Sequence, residues 1–263
     1  MLKKRLIACI LMQNGLVVQS INFKKFHIVG RAETAVEFFN NWDVDEIIFL
    51  DINATREGRG SMLDVISKAA KKSFIPLTVG GGIRKVVDIT SALNAGADKV
   101  CVNSEALLRH GFITEAADVF GSQCIVVSID AKLNKDGKHE VFYDGGTKAA
   151  GKSPLQWAKQ AELLGAGEIF LNSIDRDGSK QGYDLDLIRQ VRDAVSIPVI
   201  ACGGVGKVQD FAPGIIKGHA DAVAAANIFQ YFEHSTILAK AALLKAGVDV
   251  RMATEATYMN SKV

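Results

Sequence analysis

The stretch FIPLTVGGGI at residues 74–83 returns later in the chain as SIPVIACGGVG at residues 196–206. In both copies a proline precedes a short apolar run, and the run ends in consecutive glycines. A short apolar run between turn-forming residues is typical of a buried β-strand. The sequence therefore predicts the same strand-and-turn unit twice, once in each half of the chain.

The sequence around this unit is duplicated as well, at nearly the same offset. The further matching pairs are IIFLDINATREGRGSMLDVI (47–66) with EIFLNSIDRDGSKQGYDLDLI (168–188), and GADKVCVNS (96–104) with HADAVAAAN (219–227). The offset is far longer than the roughly 20–50 residues of a solenoid repeat. We therefore expect a single domain over residues 1–263, built from two halves at about 1–122 and 123–250.

Eight apolar runs alternate with amphipathic helical stretches along the chain. The runs end near Leu11, Asp51, Val79, Val102, Asp130, Asn172, Ala201 and Ala225. The helical stretches include 33–41, 62–72, 86–95, 154–165 and 185–195. Strands that are apolar on both faces and separated by helices form parallel sheets. In a chain of this length the pattern predicts an α/β fold, a (β/α)8 TIM barrel of two duplicated half-barrels, rather than an open doubly wound sheet.

Composition narrows the class of partner. The 31 lysines and arginines nearly balance the 29 aspartates and glutamates, for a formal net charge of +2. Such a balance favours neither nucleic acid nor a membrane surface as the main partner. The four cysteines, Cys9, Cys101, Cys124 and Cys202, are widely spaced in apolar runs, so we expect reduced thiols packed in the core rather than a metal site or a disulfide.

The first residues, MLKKRLIACILM, resemble the beginning of a secretion signal. The apolar stretch before Cys9 covers only residues 6–8, whereas a signal needs an apolar region of roughly 7–15 residues. Gln13, Asn14 and Gly15 then predict a turn. We expect residues 6–11 to form a buried strand and the protein to be cytoplasmic.

Two glycine turns are candidate anion sites. Gly80–Gly82 follow the third predicted strand, and Gly203–Gly204 follow the seventh. Backbone N–H groups in such turns, facing the beginning of a helix, attract anions. One turn alone could be a tight turn without a ligand, but two equivalent turns predict a bisphosphate-sized ligand. The candidate phosphate-binding residues are Gly81, Gly82, Asn103, Ser104, Gly178, Gly203, Gly204, Ala226 and Asn227. We expect neither a metal nor a cofactor.

Carboxylates lie where the active site of a TIM barrel is found, at the carboxyl ends of strands. Asp51 and Asp130 end the second and fifth strands, and Asp175, Asp177 and Ser179 follow the sixth. A carboxylate facing a pocket can act as a general acid or base, or can hold a loop by hydrogen bonds. We favour the structural role for Asp51 and Asp175, and both roles stay open for Asp130.

Seven blocks identify a family: MLKKRLIAC, FLDINA, TVGGGI, GADKVCVN, FGSQCIVVSIDAK, GAGEIFLNSIDRDGSKQGYD and CGGVGK. Along nearly its whole length the chain resembles the cyclase subunit of imidazole glycerol phosphate synthase (HisF). The resemblance implies a barrel that receives ammonia from a HisH-like glutaminase partner at its bottom face. It also implies that the ammonia is used to cleave and cyclise a ribulosyl bisphosphate aminoimidazole intermediate, in histidine biosynthesis.

The chain departs from the family's pattern after the first strand. The family uses two aspartates on opposite sides of the mouth, and the second of these is Asp130. The first falls on Leu11, and a substrate-positioning lysine falls on Gln19. Losing a general acid or base lowers a rate by about 10²–10⁴-fold. The resemblance therefore implies that this barrel has lost the cyclase reaction.

Other family positions are retained. Ser104 stands where the family usually has threonine, and Asp98 matches a glutaminase-docking position, although it could equally be an ordinary surface charge. The residues that match the family's ammonia gate are Arg5, Glu46, Lys99 and Glu168. A ring of paired charges at the bottom of a barrel could also be purely structural.

Two loops at the mouth are candidates for further roles. Residues 132–153 are rich in glycine and lysine, and EVFYDGG (140–146) predicts a hairpin, with the remainder either a lid or a solvated loop. His27 and Arg31 are placed in the loop after the first strand, where they would either reach an anion or be solvated.

The apolar first loop and the EIFLNSIDRDG block resemble a paralogous subgroup found in surface-polysaccharide gene clusters. The subgroup implies an ammonia-channelling subunit of a glutamine amidotransferase system. With its glutaminase it would supply ammonia to a sugar amidotransferase that installs an acetamidino group, in pathways such as lipopolysaccharide biosynthesis. Two alternatives stay open: a working lyase/cyclase with Asp177 or a water as substitute acid, and a scaffold that only stabilises its glutaminase.

Overall fold

A computed structural model describes residues 3–230 and 235–252. The single domain expected over residues 1–263 therefore also covers residues outside those described. The strands are β1 (Arg5–Gln13), β2 (Leu16–Ile21), β3 (Lys25–Arg31), β4 (Glu46–Asp51), β5 (Leu77–Gly80), β6 (Lys99–Val102), β7 (Ile125–Leu133), β8 (His139–Tyr143), β9 (Lys148–Ala149), β10 (Glu168–Ser173), β11 (Val199–Cys202) and β12 (Ala222–Ala225). The helices are α1 (Ala32–Asn41), α2 (Leu63–Ala70), α3 (Val86–Asn94), α4 (Ser104–Leu108), α5 (Gly111–Phe120), α6 (Pro154–Leu163), α7 (Leu185–Arg192), α8 (Phe211–Ile216) and α9 (Ser235–Lys245).

Eight of these strands form a closed parallel barrel in the order β1, β4, β5, β6, β7, β10, β11 and β12. The barrel closes because β12 pairs in parallel with β1, with Arg5 opposite Ala222. Helices follow the strands and cover the barrel from outside. The predicted TIM barrel is confirmed, and the predicted strand ends lie within three residues of the observed ones.

Antiparallel extensions occur on the first strand of each half. β2 and β3 extend β1, and β8 and β9 extend β7, which carries β7 three residues beyond Asp130. The hairpin predicted at 140–146 is confirmed. The placement of His27 and Arg31 in a loop is wrong, because both lie on β3 with exposed side chains. The turn predicted at residues 13–15 is present, but it joins two strands of a hairpin.

Alternation along each strand separates two apolar layers. On β1, Leu6, Ala8 and Ile10 pack outward against the helices, whereas Ile7, Cys9 and Leu11 point into the barrel. This period of two is the geometry of a pleated strand. All four cysteines are buried, which agrees with the expected packing in the core.

Candidate functional site

The carboxyl ends of the strands surround a cavity of about 200 Å³, here called the mouth cavity. Strand-end side chains of the sheet form its floor. The candidate residues on its wall are Leu11, Asp51, Gly81, Gly82, Asn103, Ser104, Asp130 and Asn172. The first half of the predicted phosphate site and the candidate acid Asp130 therefore share one cavity.

Asp130 is the carboxylate best placed for proton transfer. It is only 9% exposed, and its oxygens lie 3.3 Å from Asn103 Nδ2 and 3.4 Å from the Ser128 hydroxyl. Burial raises the pKa of Asp130 from 3.8 to about 7; the Ser128 hydrogen bond opposes the rise and the negative charge of Asp177 adds to it. A carboxyl group that titrates near neutral pH can both accept and release a proton.

The opposite wall of the mouth cavity is apolar. Leu11 is 8% exposed and belongs to the interior apolar cluster with Val18, Phe26 and Leu50. Leu11 lies directly opposite Val18 in the β1–β2 pairing. Gln19, the next residue on β2, is half-buried. Leu11 brings no group that can donate or accept a proton to this side of the mouth.

Two of the candidate carboxylates hold loops. Asp51 accepts from the N–H of Ala54 at 3.2 Å and is paired with the Arg59 guanidinium, whose Nη2 lies 3.0 Å from Oδ1. Asp175 accepts from the Leu133 N–H at 2.7 Å, which ties the loop after β10 to the end of β7. These bonds position the loops around the mouth.

Asp177 is buried beneath the β2–β3 hairpin. Its Oδ2 accepts from the Ser20 hydroxyl at 2.6 Å and from the Phe23 N–H at 3.2 Å. Burial raises the pKa of Asp177, although these hydrogen bonds oppose the rise. Ser179 accepts from the Gln181 N–H at 3.3 Å and lies outside both cavity walls. Neither residue is among those that line the mouth cavity.

The second half of the predicted phosphate site surrounds a separate, smaller cavity of about 30 Å³. Its predicted residues lie together there: Gly178, Gly203, Gly204, Ala226 and Asn227. At Gly204, with φ +107°, a Cβ would lie 2.1 Å from the Gly182 carbonyl oxygen. In the first turn Gly81, with φ +102°, would place a Cβ 2.1 Å from the Asp51 carbonyl oxygen. Close backbone approach therefore requires glycine in both turns, with or without a bound phosphate.

The four retained charges form a closed ring at the bottom of the barrel, where each is the first residue of its strand. Arg5 Nη1 lies 2.6 Å from Glu46 and 3.0 Å from Glu168, while Lys99 Nζ lies 3.4 Å and 3.2 Å from the same two partners. Oε2 of Glu168 is buried without a hydrogen-bond partner. We call these four residues the charged ring. Asp98 is exposed nearby and accepts from the Leu77 N–H at 2.7 Å.

Residues that the sequence analysis missed form the roof of the mouth cavity. Arg56 donates to the carbonyl oxygen of Gly145 at 3.1 Å, and the Asp144 N–H donates to the Ser104 hydroxyl at 3.1 Å. The Phe23 ring lies against Gly146. Three loops thus meet above the cavity. Arg56 lies in the duplicated block 47–66. A basic residue shortly after the end of a barrel strand could have indicated a residue of the mouth.

Within residues 3–230 and 235–252, no group of His, Cys, Asp and Glu side chains has the arrangement of a metal site. In the same part of the chain, no helix combines the length and apolarity needed to cross a bilayer.

Known proteins resemble this chain over the same elements that build the site. The family model described as "Histidine biosynthesis protein" matches residues 5–236, which include both glycine turns and the charged ring. A protein of Vibrio vulnificus (strain YJ016), provisionally named imidazole glycerol phosphate synthase subunit hisF2, is 50% identical over 260 residues. The matched region covers 99% of this chain and 95% of the relative.

Proposed function

Because the chain belongs to the histidine biosynthesis protein family, as a barrel of the imidazole glycerol phosphate synthase subunit (HisF-like) type, we propose that it receives ammonia from a glutaminase and serves the amidination of a sugar in surface-polysaccharide biosynthesis. In this proposal the cyclase reaction has been lost. The mouth still binds a phosphorylated small molecule. A sugar amidotransferase is a further partner of the barrel.

Leu11 is the observation that carries the proposal. The mouth holds one carboxyl group poised near neutral pH, Asp130, and faces it with an apolar wall. Acid–base cleavage and cyclisation need a second proton donor or acceptor on that wall. Asp177 does not supply it, because its carboxylate is committed to Ser20 and Phe23.

The charged ring supports the ammonia part of the proposal. Glu46 is buried and the other three residues of the ring are half-buried. Charges withdrawn from water are costly unless they are paired, and apolar replacements are often neutral for stability. A barrel released from every inherited task has no need for such a ring. Lys99 makes the two longest contacts in the ring, at 3.4 and 3.2 Å, so it is the side chain that can swing aside most easily. Ammonia, which is small and neutral, could then enter from the bottom.

A working cyclase is the second candidate, and one observation favours it. Asp130 retains a pKa of about 7, which suits a general acid or base. The first test is therefore turnover of the ribulosyl bisphosphate intermediate with ammonium or with the glutaminase. We expect a rate about 10²–10⁴-fold below that of a cyclase with both aspartates. A rate within a few-fold of such an enzyme would refute the loss of cyclase activity.

The second test concerns ammonia delivery. In a reaction containing glutaminase, barrel and sugar amidotransferase, Lys99→Ala should leave glutamine hydrolysis running but release ammonia to solvent, which lowers product formed per glutamine consumed. Lys71→Ala, an exposed lysine outside the ring, is the matched control and should keep the wild-type ratio. An unchanged ratio in Lys99→Ala, or a barrel that does not bind a glutaminase of the family, would contradict the proposal.

A further inference from the structure

We propose that the mouth takes a small phosphomonoester, with its single phosphate at the first glycine turn, because the tip of the β2–β3 hairpin closes the second glycine turn to phosphate. The hairpin tip is defined as residues 20–23, the first turn as Gly80–Gly82 and the second as Gly203–Gly204. This inference rests on the phosphorylated ligand of the proposed function and names its chemical class.

Hydrogen bonds from the elements around the second turn hold the hairpin tip. Asn227 Nδ2 donates to the Ser20 carbonyl oxygen at 2.7 Å. The Ser20 hydroxyl and the Phe23 N–H donate to the Asp177 carboxylate at 2.6 and 3.2 Å, and the Asn22 N–H donates to the Asp177 carbonyl oxygen at 3.0 Å. The Nδ2 donor of Asn227, which belongs to the predicted phosphate set, is thereby occupied by the chain itself, while its Oδ1 has no partner.

Gly178 shows how closely the tip approaches. A Cβ at this position would lie 2.8 Å from the Ser20 carbonyl oxygen and 3.0 Å from Ile21 Cα. Gly178 was predicted to contribute to a phosphate site, yet its open side faces backbone of the hairpin tip. A ligand group on that side of Gly178 would have to displace Ser20 and Ile21.

The two cavities at the mouth are unequal and separate. The mouth cavity measures about 200 Å³ and the cavity at the second turn about 30 Å³. Among the described residues, none lines both cavities. Ser20 and Phe23 of the hairpin tip lie on the wall of the larger one. Because Asn227 on the wall of the smaller cavity bonds Ser20 on the wall of the larger one, the tip lies between the two turns, in the path of a ligand with a phosphate at each end.

Two residues of the hairpin tip have strained backbone angles, which indicates that surrounding contacts hold the tip in one conformation. Asn22 and Phe23 have φ values of +51° and +56°. Asparagine tolerates this left-handed region, whereas for a bulky side chain such as phenylalanine it is an outlier that costs of order 1–3 kcal/mol. The Phe23 N–H bond to Asp177 and the Phe23 ring against Gly146 offset that cost. These two contacts attach the tip to the loop after β10 and to the turn between β8 and β9.

Polar groups in the mouth cavity define the rest of the ligand. Asn172 lines this cavity, but its Oδ1 is buried on the side of Gly203. The Asp130 carboxylate is the acceptor on the wall, and Leu11 adds an apolar surface. A ligand hydroxyl or amino group that donates to Asp130 gains affinity, because hydrogen bonds to charged groups are among the stronger ones. The expected body is short and carries at least one hydroxyl or amino group, as in a sugar monophosphate.

Phosphate stoichiometry tests the inference. Titration calorimetry with inorganic phosphate should show one phosphate bound per chain. Fructose 6-phosphate and fructose 1,6-bisphosphate should bind with affinities within about threefold of each other, a difference below 1 kcal/mol. Two phosphates per chain, or a bisphosphate that binds more than about tenfold tighter than the monophosphate, would overturn the inference alone. No phosphate binding at all would overturn the phosphorylated ligand of the proposed function as well.

Two matched variants locate the phosphate. Ser104 and Asn227 occupy equivalent places in the duplicated blocks, so Ser104→Asp and Asn227→Asp add the same charge at the two turns. Ser104→Asp should weaken phosphate binding by at least about tenfold, because like charges repel at short range. Asn227→Asp should leave one phosphate bound at the first turn. The reverse pattern would place the phosphate at the second turn and refute the inference.

Releasing the tip tests what closes the second turn. Asp177→Ala removes the acceptor of both Ser20 and Phe23, and should raise the stoichiometry towards two phosphates per chain. Thermal unfolding checks that the variant is folded, and Ser20→Ala serves as a milder release. A folded Asp177→Ala that still binds one phosphate would refute the role of the hairpin tip.

Discussion

Replacing Asp130 with asparagine should stabilise the folded protein at alkaline pH. Asp130 is buried in the mouth, and burial raises its pKa from 3.8 to about 7. Asparagine has nearly the same shape and keeps an oxygen for Asn103 or Ser128. The substitution therefore removes a charge that the fold accommodates poorly, with little change in packing.

The magnitude follows from the two pKa values. The difference between 3.8 and about 7 corresponds to about 4 kcal/mol of unfolding free energy. Because the folded state binds the proton more tightly, the contribution of Asp130 to stability is highest below about pH 4 and falls as the pH rises to about 7. Asp130→Asn escapes this loss, so its advantage over the wild type should grow from near zero at pH 4 to between 2 and about 4 kcal/mol at pH 8.

Urea denaturation of both proteins at a series of pH values from 5 to 8 measures the effect. Asp136→Asn changes an exposed aspartate in the loop between β7 and β8, and its difference from the wild type should be independent of pH. The reasoning is wrong if the Asp130→Asn difference is also flat across this range, or if this variant is the less stable protein at pH 8.

Two further substitutions test the fold around the site. Lys240 is fully buried, and its Nζ lies 3.2 Å from the Asp43 carboxylate and 2.9 Å from that of Asp45. Lys240→Met should therefore lower the unfolding free energy by about 3–5 kcal/mol. Lys72→Met, which removes one side of an exposed ion pair, should change it by less than about 1 kcal/mol. Gly81→Ala forces a Cβ against backbone at positive φ and should cost at least about 2 kcal/mol in urea denaturation, whereas Gly60→Ala has open space and should be neutral within about 0.5 kcal/mol. Equal effects within either pair would contradict the structural assignment.

The sequence was sufficient for the barrel because its signals are local and occur twice. Each apolar run identifies a strand, and duplication of the unit around Pro76 and Pro198 implies eight strands in two sets of four. The strand that extends furthest beyond its predicted end is β7, because β8 continues its hydrogen-bonding ladder. That pairing depends on the course of a loop, which the apolar pattern of β7 does not encode.

The hairpin after β1 was missed although a signal was present. Asn14 and Gly15 have φ values of +51° and +77°, and an Asn-Gly pair between two apolar runs is a strong hairpin signal. The contacts of the hairpin tip with Asp177 and Asn227 were beyond sequence reasoning, because they join residues more than 150 positions apart. Their geometry is set by the closed barrel, which brings the ends of β10 and β12 beside β2.

Leu11 and the hairpin tip belong to one continuous segment, and the structure links their effects. Leu11 pairs with Val18 across the β1–β2 ladder, in an apolar cluster that also includes Phe26 of β3. An aspartate at position 11 would bury a charge in that cluster and weaken the base from which the tip reaches the second turn. Leu11→Asp alone should therefore not restore cyclase turnover, and it should raise phosphate stoichiometry above one by loosening the tip. Full turnover in this single variant, with one phosphate still bound, would show that the two features are independent.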